Sequence, residues 1–87
     1  MELEFDPQKS GINARKHGID FTTAQVLWTD PSRLQFEARF ADEERHGLIA
    51  YHDNKLWCAI FTIRRDKTRI ISVRRARTYE EELYYNS

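Results

Sequence analysis

The residues best suited to chemistry in this sequence are a run of cations between Arg64 and Arg77. Seven bases stand in this segment against one acid, which gives a local charge of +6. The bases are Arg64, Arg65, Lys67, Arg69, Arg74, Arg75 and Arg77. A guanidinium group binds phosphate through two parallel hydrogen bonds and stays charged at any physiological pH. The segment therefore predicts a surface that binds a phosphate-bearing ligand.

The net charge of the whole chain does not reveal this basic segment. The formal net charge is zero, yet residues 1–44 carry nine acids and five bases, and residues 45–87 carry five acids and nine bases. A local excess of this size holds phosphates even in a neutral protein. RNA is therefore compatible with the composition as a partner.

Strand alternation divides the arginines of this segment between two faces of a sheet. It places Ile70 and Ser72 with Arg74 on one face, and Ile71 and Val73 with Arg75 on the other. Arg64 ends the preceding strand and Arg69 begins the next one, so these two can cluster around a phosphate. We predict that Arg64, Arg74 and Arg75 stabilise charge on a reacting phosphate. The alternative is a solvated rim, which is the favoured interpretation for Arg65, Lys67 and Arg77.

Candidates for proton transfer are one histidine and two tyrosines. His17 has an unperturbed pKa near neutrality, although in Lys16-His17-Gly18 it can equally cap the end of a helix. Tyr84 and Tyr85 become candidates if neighbouring arginines lower the pKa of their hydroxyls, and core packing is the alternative. Lys16 is a candidate for binding an RNA backbone.

Several other kinds of chemistry find no support in the sequence. The histidines (His17, His46 and His52) lack metal-ligand spacing, and a single cysteine cannot form a zinc cluster. Cys58 lies in an apolar run and is expected to be a buried small hydrophobe. Glycine-rich phosphate loops and nucleophile elbows are absent from the sequence. We therefore expect neither a metal nor a cofactor.

The elements that position these residues form one α+β domain over residues 1–87. A short strand at residues 2–5 precedes a helix that begins at Asp6-Pro7 and ends at Gly18. A second helix begins at a capping box, Thr22-x-x-Gln25. Without a signal-peptide pattern or an apolar run of about 18 residues, we expect a cytoplasmic protein.

The second half of the chain predicts an antiparallel meander and a final helix. A strand from residue 33 and a charged loop at 41–44 precede apolar strands at 48–51 and 56–63, which a turn at 52–55 joins. A turn at 65–68 leads into the strand at 69–75, and Thr78-x-x-Glu81 begins the last helix. The predicted order is βααββββα, with an antiparallel sheet and the helices against one of its faces.

Four blocks of residues resemble the BrnT toxin family across nearly the whole chain. They are Phe5-Asp6-Pro7-x-Lys9 with Asn13; Lys16-His17-Gly18-Ile19-x-Phe21 with Ala24; Asp30-Pro31 followed by Glu44-Arg45-x-Gly47; and Arg69-Ile70-Ile71-Ser72-Val73-Arg74-Arg75-Ala76 with Glu82 and Tyr85. One departure is Phe5, which stands where the family commonly has tryptophan; this keeps an aromatic ring and loses an N–H donor.

The resemblance implies a ribonuclease toxin of a type II toxin–antitoxin system. It implies a RelE-like fold, RNA cleavage without a metal, and neutralisation by a BrnA antitoxin with a ribbon-helix-helix part. The complex would be a heterotetramer that dimerises through the antitoxin and binds operator DNA. On this view Arg64, Arg74, Arg75, His17 and Tyr84 serve catalysis, and Lys16, Arg45 and Arg69 bind RNA.

Two other functions stay open at this point. One is a module that binds RNA or protein without cleaving it, and the other is an inactive toxin that acts as a corepressor with the antitoxin. If the chain is a nuclease, the ribose 2′-hydroxyl attacks the adjacent phosphate, and the protein stabilises charge and protonates the leaving oxygen. Arg74→Ala and Arg75→Ala should then abolish cleavage and keep the fold.

Overall fold

The computed structural model describes residues 2–40 and 43–87. Its elements are β1 (Glu2–Glu4), α1 (Pro7–His17), α2 (Phe21–Ala24) continued by a 3₁₀ turn (Gln25–Thr29), β2 (Leu34–Phe40), β3 (Glu43–His52), β4 (Lys55–Arg64), β5 (Lys67–Arg75) and α3 (Thr78–Tyr85). The α+β class is confirmed. Part of the loop predicted at 41–44 lies outside the described residues, and Glu43 and Glu44 already belong to β3. None of the described helices is long and apolar enough to span a bilayer.

The described strands form one sheet in the order β1-β5-β4-β3-β2. Neighbours from β2 to β5 are antiparallel, as the meander predicted, whereas β1 runs parallel to β5. The sheet is therefore mixed, and the prediction of a purely antiparallel sheet was wrong. Alternation in a three-residue strand carries no information on direction, and here two helices intervene before the chain returns to the sheet.

Local capping explains where the first two helices begin. The Asp6 carboxylate accepts from the Gln8 N–H at 2.8 Å, and Gly18 ends α1 at a φ of 82°, as predicted. Helix α2 begins earlier than predicted, because the Asp20 carboxylate accepts from the Thr23 N–H at 2.7 Å. Asp20, rather than Thr22, is therefore its N-cap.

The two turns that join the last three strands contain non-glycine residues whose backbone lies in the left-handed region. Asp53 and Asn54 have φ values of 55° and 61°, which is the type I′ hairpin geometry and confirms the turn predicted at 52–55. In the next turn Arg65 and Asp66 have φ values of 50° and 67°, so this turn is centred one residue earlier than predicted.

The main core lies between one face of the sheet, called the first face here, and the helices α1 and α2 with the 3₁₀ turn. Its buried members are Ile19, Phe21, Ala24, Leu27, Leu48, Ala50, Trp57, Ala59, Phe61, Ile70 and Val73. A β-bulge lies in this sheet, since Phe61 pairs with Ile70 while Ile60 pairs with Ser72. The bulge places Ile70 with Val73 in the core, so the strict alternation predicted for this strand was wrong.

Helix α3 packs on the other face, called the second face here. Cys58 points to that face, because its neighbours Trp57 and Ala59 both belong to the first-face core. Cys58 pairs in register with Arg74, whose guanidinium binds Glu80 of α3. The helices therefore cover both faces, and the expectation that they share one face was wrong. Helix periodicity alone does not specify which face of a sheet a terminal helix covers.

Candidate functional site

Rows of side chains cross the second face from strand to strand. Under α3 the row is Leu34, Ile49, Cys58 and Arg74. The next row is Phe36, Gly47, Ile60 and Ser72. In the third row Ala38 pairs with Arg45, and Thr62 pairs with Arg69, which pairs with Glu4. We call the second and third rows the open face, because Phe36, Ile60 and Ser72 of the second row are only half-buried.

A cationic cluster occupies the end of the open face that lies away from α3. Its members are Arg45, Arg64, Lys67 and Arg69, from three neighbouring strands. Strands lie about 4.8 Å apart, so the backbones of Arg45 and Arg69 are roughly 10 Å from each other across β4. Arg64 also lines a pocket of about 550 Å³ with Arg65, Lys67 and Glu4.

Acidic neighbours form ion pairs with three members of the cluster. The nitrogen–oxygen distances are 3.3 Å from Arg45 to Glu43, 3.7 Å from Lys67 to Glu2, and 3.5 Å from Arg69 to Glu4. The Lys67 and Arg69 pairs are solvent-exposed, and such pairs contribute about 0–1 kcal/mol each. A phosphate can therefore displace these two carboxylates at little cost, and it accepts bidentate hydrogen bonds from arginine.

Arg74 is committed to a structural ion pair. Its guanidinium donates to both carboxylate oxygens of Glu80, at 2.7 and 3.0 Å, and the Arg77 N–H donates to the same carboxylate at 2.8 Å. The Glu80 side chain has 0% exposure. Burial disfavours its charged form, but these hydrogen bonds outweigh burial and lower the pKa of the Glu80 carboxyl. Arg74 thus fastens α3 to the sheet.

The three arginines predicted for phosphate chemistry do not come together. Arg64 lies in the cationic cluster and pairs with Lys67, whereas Arg74 pairs with Cys58, six residues away along β4. That separation is roughly 20 Å. Arg75 lies on the first face, with its guanidinium carbon 5.7 Å from the ring centre of Trp57. Of the three, only Arg64 shares a surface with Arg45 and Arg69.

A second basic site lies where α1 meets the free edge of β5. Lys9, Lys16 and His17 line a cleft of about 190 Å³ there, together with Ser72. Since Ser72 also belongs to the open face, this cleft borders that face. His17 is half-buried at the end of α1 and lines this cleft with Ser72, outside the cationic cluster.

Asn13 fixes α1 to the β5 edge. Its side-chain amide donates to the Val73 carbonyl at 2.8 Å and accepts from the Val73 N–H at 3.1 Å, as a neighbouring strand would do. The same amide donates to the Ile19 carbonyl at 2.8 Å. Asn13 belongs to the residues that carry the family resemblance, but its spacing in the sequence did not indicate this role. Asn13 thereby positions Lys16 and His17 against the sheet.

Tyr84 lies in a different environment from the one predicted. Its hydroxyl donates to the Asp30 carboxylate at 2.8 Å, and that carboxylate also accepts from the backbone of Ser32 and Tyr51. Burial and the hydrogen bond to Asp30 raise the pKa of the Tyr84 hydroxyl. The prediction of a lowered pKa was wrong, because the nearest charged partner is a carboxylate. Tyr85 packs edge-on against Tyr84 and is largely exposed.

The remaining candidates are buried or dispersed. Cys58 is buried, as predicted, and burial raises the pKa of its thiol to about 12, so it is not a nucleophile at neutral pH.

Residues 2–40 and 43–87 contain no group of three or more His, Cys, Asp or Glu arranged to hold a metal ion. Phe5 packs edge-on against Phe21 in the first-face core, so its ring lies away from the open face.

Comparison with known proteins identifies the family. A family model described as "Ribonuclease toxin, BrnT, of type II toxin-antitoxin system" matches residues 5–80. A search of curated proteins gave no significant match. The matched range contains both the cationic cluster and the α1 cleft, and it covers most of the sequence. The chain therefore belongs to the BrnT family of ribonuclease toxins of type II toxin–antitoxin systems.

Proposed function

We propose that this chain is an endoribonuclease that cleaves RNA on the open face of its sheet without a metal ion. The observation that carries the proposal is the cationic cluster, in which four bases from neighbouring strands share one surface. Clustered lysine and arginine side chains bind the phosphates of the RNA backbone. Family membership indicates the reaction class, RNA cleavage, and the cationic cluster indicates where on the protein the RNA binds.

The chemistry that fits this surface uses the substrate's own nucleophile. The ribose 2′-hydroxyl attacks the adjacent phosphorus, the bond to the 5′-oxygen breaks, and a 2′,3′-cyclic phosphate forms. The reaction needs orientation of the phosphate and stabilisation of the charge on its oxygens. In this proposal Arg64 and Arg69 do both, and Arg45 and Lys67 extend the surface along the backbone.

Proton transfer is assigned to the boundary between the open face and the α1 cleft. His17 is the candidate for it, because an imidazole ring can both accept and donate a proton. Lys16 and Lys9 beside it would hold a neighbouring phosphate. The raised pKa of Tyr84 and its bond to Asp30 disfavour that residue as the proton donor, and Arg74 contributes by fastening α3.

The proposed partner is a BrnA-like antitoxin with a ribbon-helix-helix part. Toxin and antitoxin would form a heterotetramer in the cytoplasm that binds operator DNA through the antitoxin. Co-expression with the neighbouring gene product, followed by light scattering, measures this stoichiometry. A complex with two copies of each chain supports the proposal, whereas a stable one-to-one complex contradicts the heterotetramer.

Matched arginine variants test the location of the site. Arg64→Gln and Arg69→Gln should weaken RNA cleavage and growth inhibition, and each should reduce the slope of log affinity against log salt by about 0.7–0.9. Arg75→Gln is the control, because it removes the same charge from the first face of the sheet, on the strand that also carries Arg69. Equal loss in all three variants, or none in the first two, would contradict the proposed site.

A further inference from the structure

Phe36 occupies an unusual position on the open face. It pairs in register with Gly47, and a Cβ added to Gly47 would overlap the outer atoms of the Phe36 ring. The ring therefore uses the space that the missing side chain leaves. Phe36 is nevertheless only half-buried, so part of its ring is open to solvent.

Room for a ligand lies beside Phe36 along the same strand pair. Ala38, two residues along β2 on the same face, has a side chain of one carbon, and with Arg45 it lines a cleft of about 330 Å³. Arg45 lies on β3, two residues from Gly47 and paired with Ala38. An aromatic ring, a small neighbour and a guanidinium thus lie within one strand pair.

We propose that Phe36 is a stacking platform for an unpaired RNA base, which makes single-stranded RNA the substrate class of this enzyme. The inference rests on the proposed function, since it concerns the same open face. Every nucleobase offers a flat π face, and aromatic side chains bind single strands by stacking on it while cations hold the backbone. Duplex RNA keeps its bases stacked inside the helix, so it cannot present one to Phe36.

The test compares leucine and tyrosine at this position. Phe36→Leu keeps an apolar side chain over Gly47 and removes the π face, and Phe36→Tyr should recover most of the affinity that leucine loses. Loss of one stacked base weakens binding roughly 5-fold to 150-fold. We expect Phe36→Leu to raise Kd and KM for a single-stranded oligoribonucleotide by at least about 5-fold, with a smaller change in kcat.

Three controls separate stacking from a structural role. The melting temperature of Phe36→Leu reports on packing over Gly47. The salt dependence of its RNA affinity should match that of the unchanged protein, because stacking removes no phosphate contact, whereas Arg69→Gln should lower that slope. Tyr79→Leu removes a more exposed aromatic ring from α3 and should leave RNA affinity unchanged.

The outcomes distinguish this inference from the proposed function. If the unchanged protein cleaves single-stranded RNA and folded Phe36→Leu binds and cleaves it equally well, the platform is refuted and the nuclease stands. Equal affinity of the unchanged protein for single-stranded RNA and for its duplex also refutes the platform. If the unchanged protein neither binds nor cleaves RNA, both proposals fail.

Discussion

Replacing Arg74 with methionine should destabilise the protein rather than act only on catalysis. The substitution leaves the Glu80 carboxylate, whose side chain has 0% exposure, without its bidentate partner. Removing one member of a buried ion pair costs about 3–5 kcal/mol. A domain of 87 residues has a total stability of roughly 4–13 kcal/mol, so the loss is a large part of it. The melting temperature should fall by at least about 12 °C.

Chemical denaturation and thermal melting of two single variants and one double variant measure this effect. Arg75→Met is the matched control, since its cation–π contact with Trp57 is worth about 0.5–1 kcal/mol. The double variant Arg74→Met with Glu80→Leu removes the whole pair and should recover much of the loss. Recovery should be incomplete, because the Arg77 N–H also loses its acceptor.

The pH dependence of stability gives an independent check. Hydrogen bonds hold the pKa of Glu80 below its ordinary value of 4.5. Its stabilising contribution is therefore complete above that ordinary value and is lost as the pH falls through the lower folded pKa. Glu80→Gln should show a shallower acid limb. A loss of less than about 1 kcal/mol in the free energy of unfolding for Arg74→Met, or an equal loss for Arg75→Met, would show that the Arg74–Glu80 pair does not stabilise the fold.

Three further predictions concern residues away from the cationic cluster. Tyr84→Phe should cost about 1.5–3 kcal/mol in stability and leave the pH–rate profile unchanged up to the usual tyrosine pKa of about 10; a lost basic limb would contradict the structural role. Asn13→Ala should lower the free energy of unfolding by at least about 2 kcal/mol, because it leaves the N–H and the C=O of Val73 without hydrogen-bond partners. Ile12→Ala, on the exposed side of α1, should lower it far less, and denaturant titration measures both. Cys58 should react slowly with a thiol reagent in the native protein and rapidly in denaturant; rapid native reaction would contradict its burial.

The elements of the fold were largely predictable because their signals are local. Asp6-Pro7 and Gly18 bound α1 through a side-chain cap and a left-handed residue, both of which depend on nearby atoms. Asp53-Asn54 likewise sets its own hairpin turn. The family match adds that these local signals occur in a recognised order along the chain.

The positions of the arginines were not predictable in the same way. The bulge between Ile60 and Phe61 shifts the register of β5, and periodicity in one strand does not specify a bulge in a pair of strands. In the sequence, Glu80 is one of three consecutive glutamates near the start of the last helix. Its burial against Arg74 depends on which face α3 covers, and that is a tertiary property.

Consequently, growth assays of Arg74 variants require a measurement of folding beside them. From the sequence, Arg74→Ala is expected to keep the fold and lose activity. The ion pair with Glu80 gives the opposite expectation for stability. Arg64 and Arg69 are the better probes of chemistry, because Arg64 lines a surface pocket and the Arg69 side chain and its partner Glu4 are both exposed.

The central claim, metal-independent cleavage of RNA by this chain, is tested most directly by mapping product ends. The purified protein is incubated with end-labelled single-stranded RNA in excess EDTA, beside the Arg64→Gln variant. We expect cleavage in EDTA, with 2′,3′-cyclic phosphate and 5′-hydroxyl ends, and a marked loss in the variant. Intact RNA that is only retarded, or cleavage that stops in EDTA and returns with a divalent cation, would contradict it.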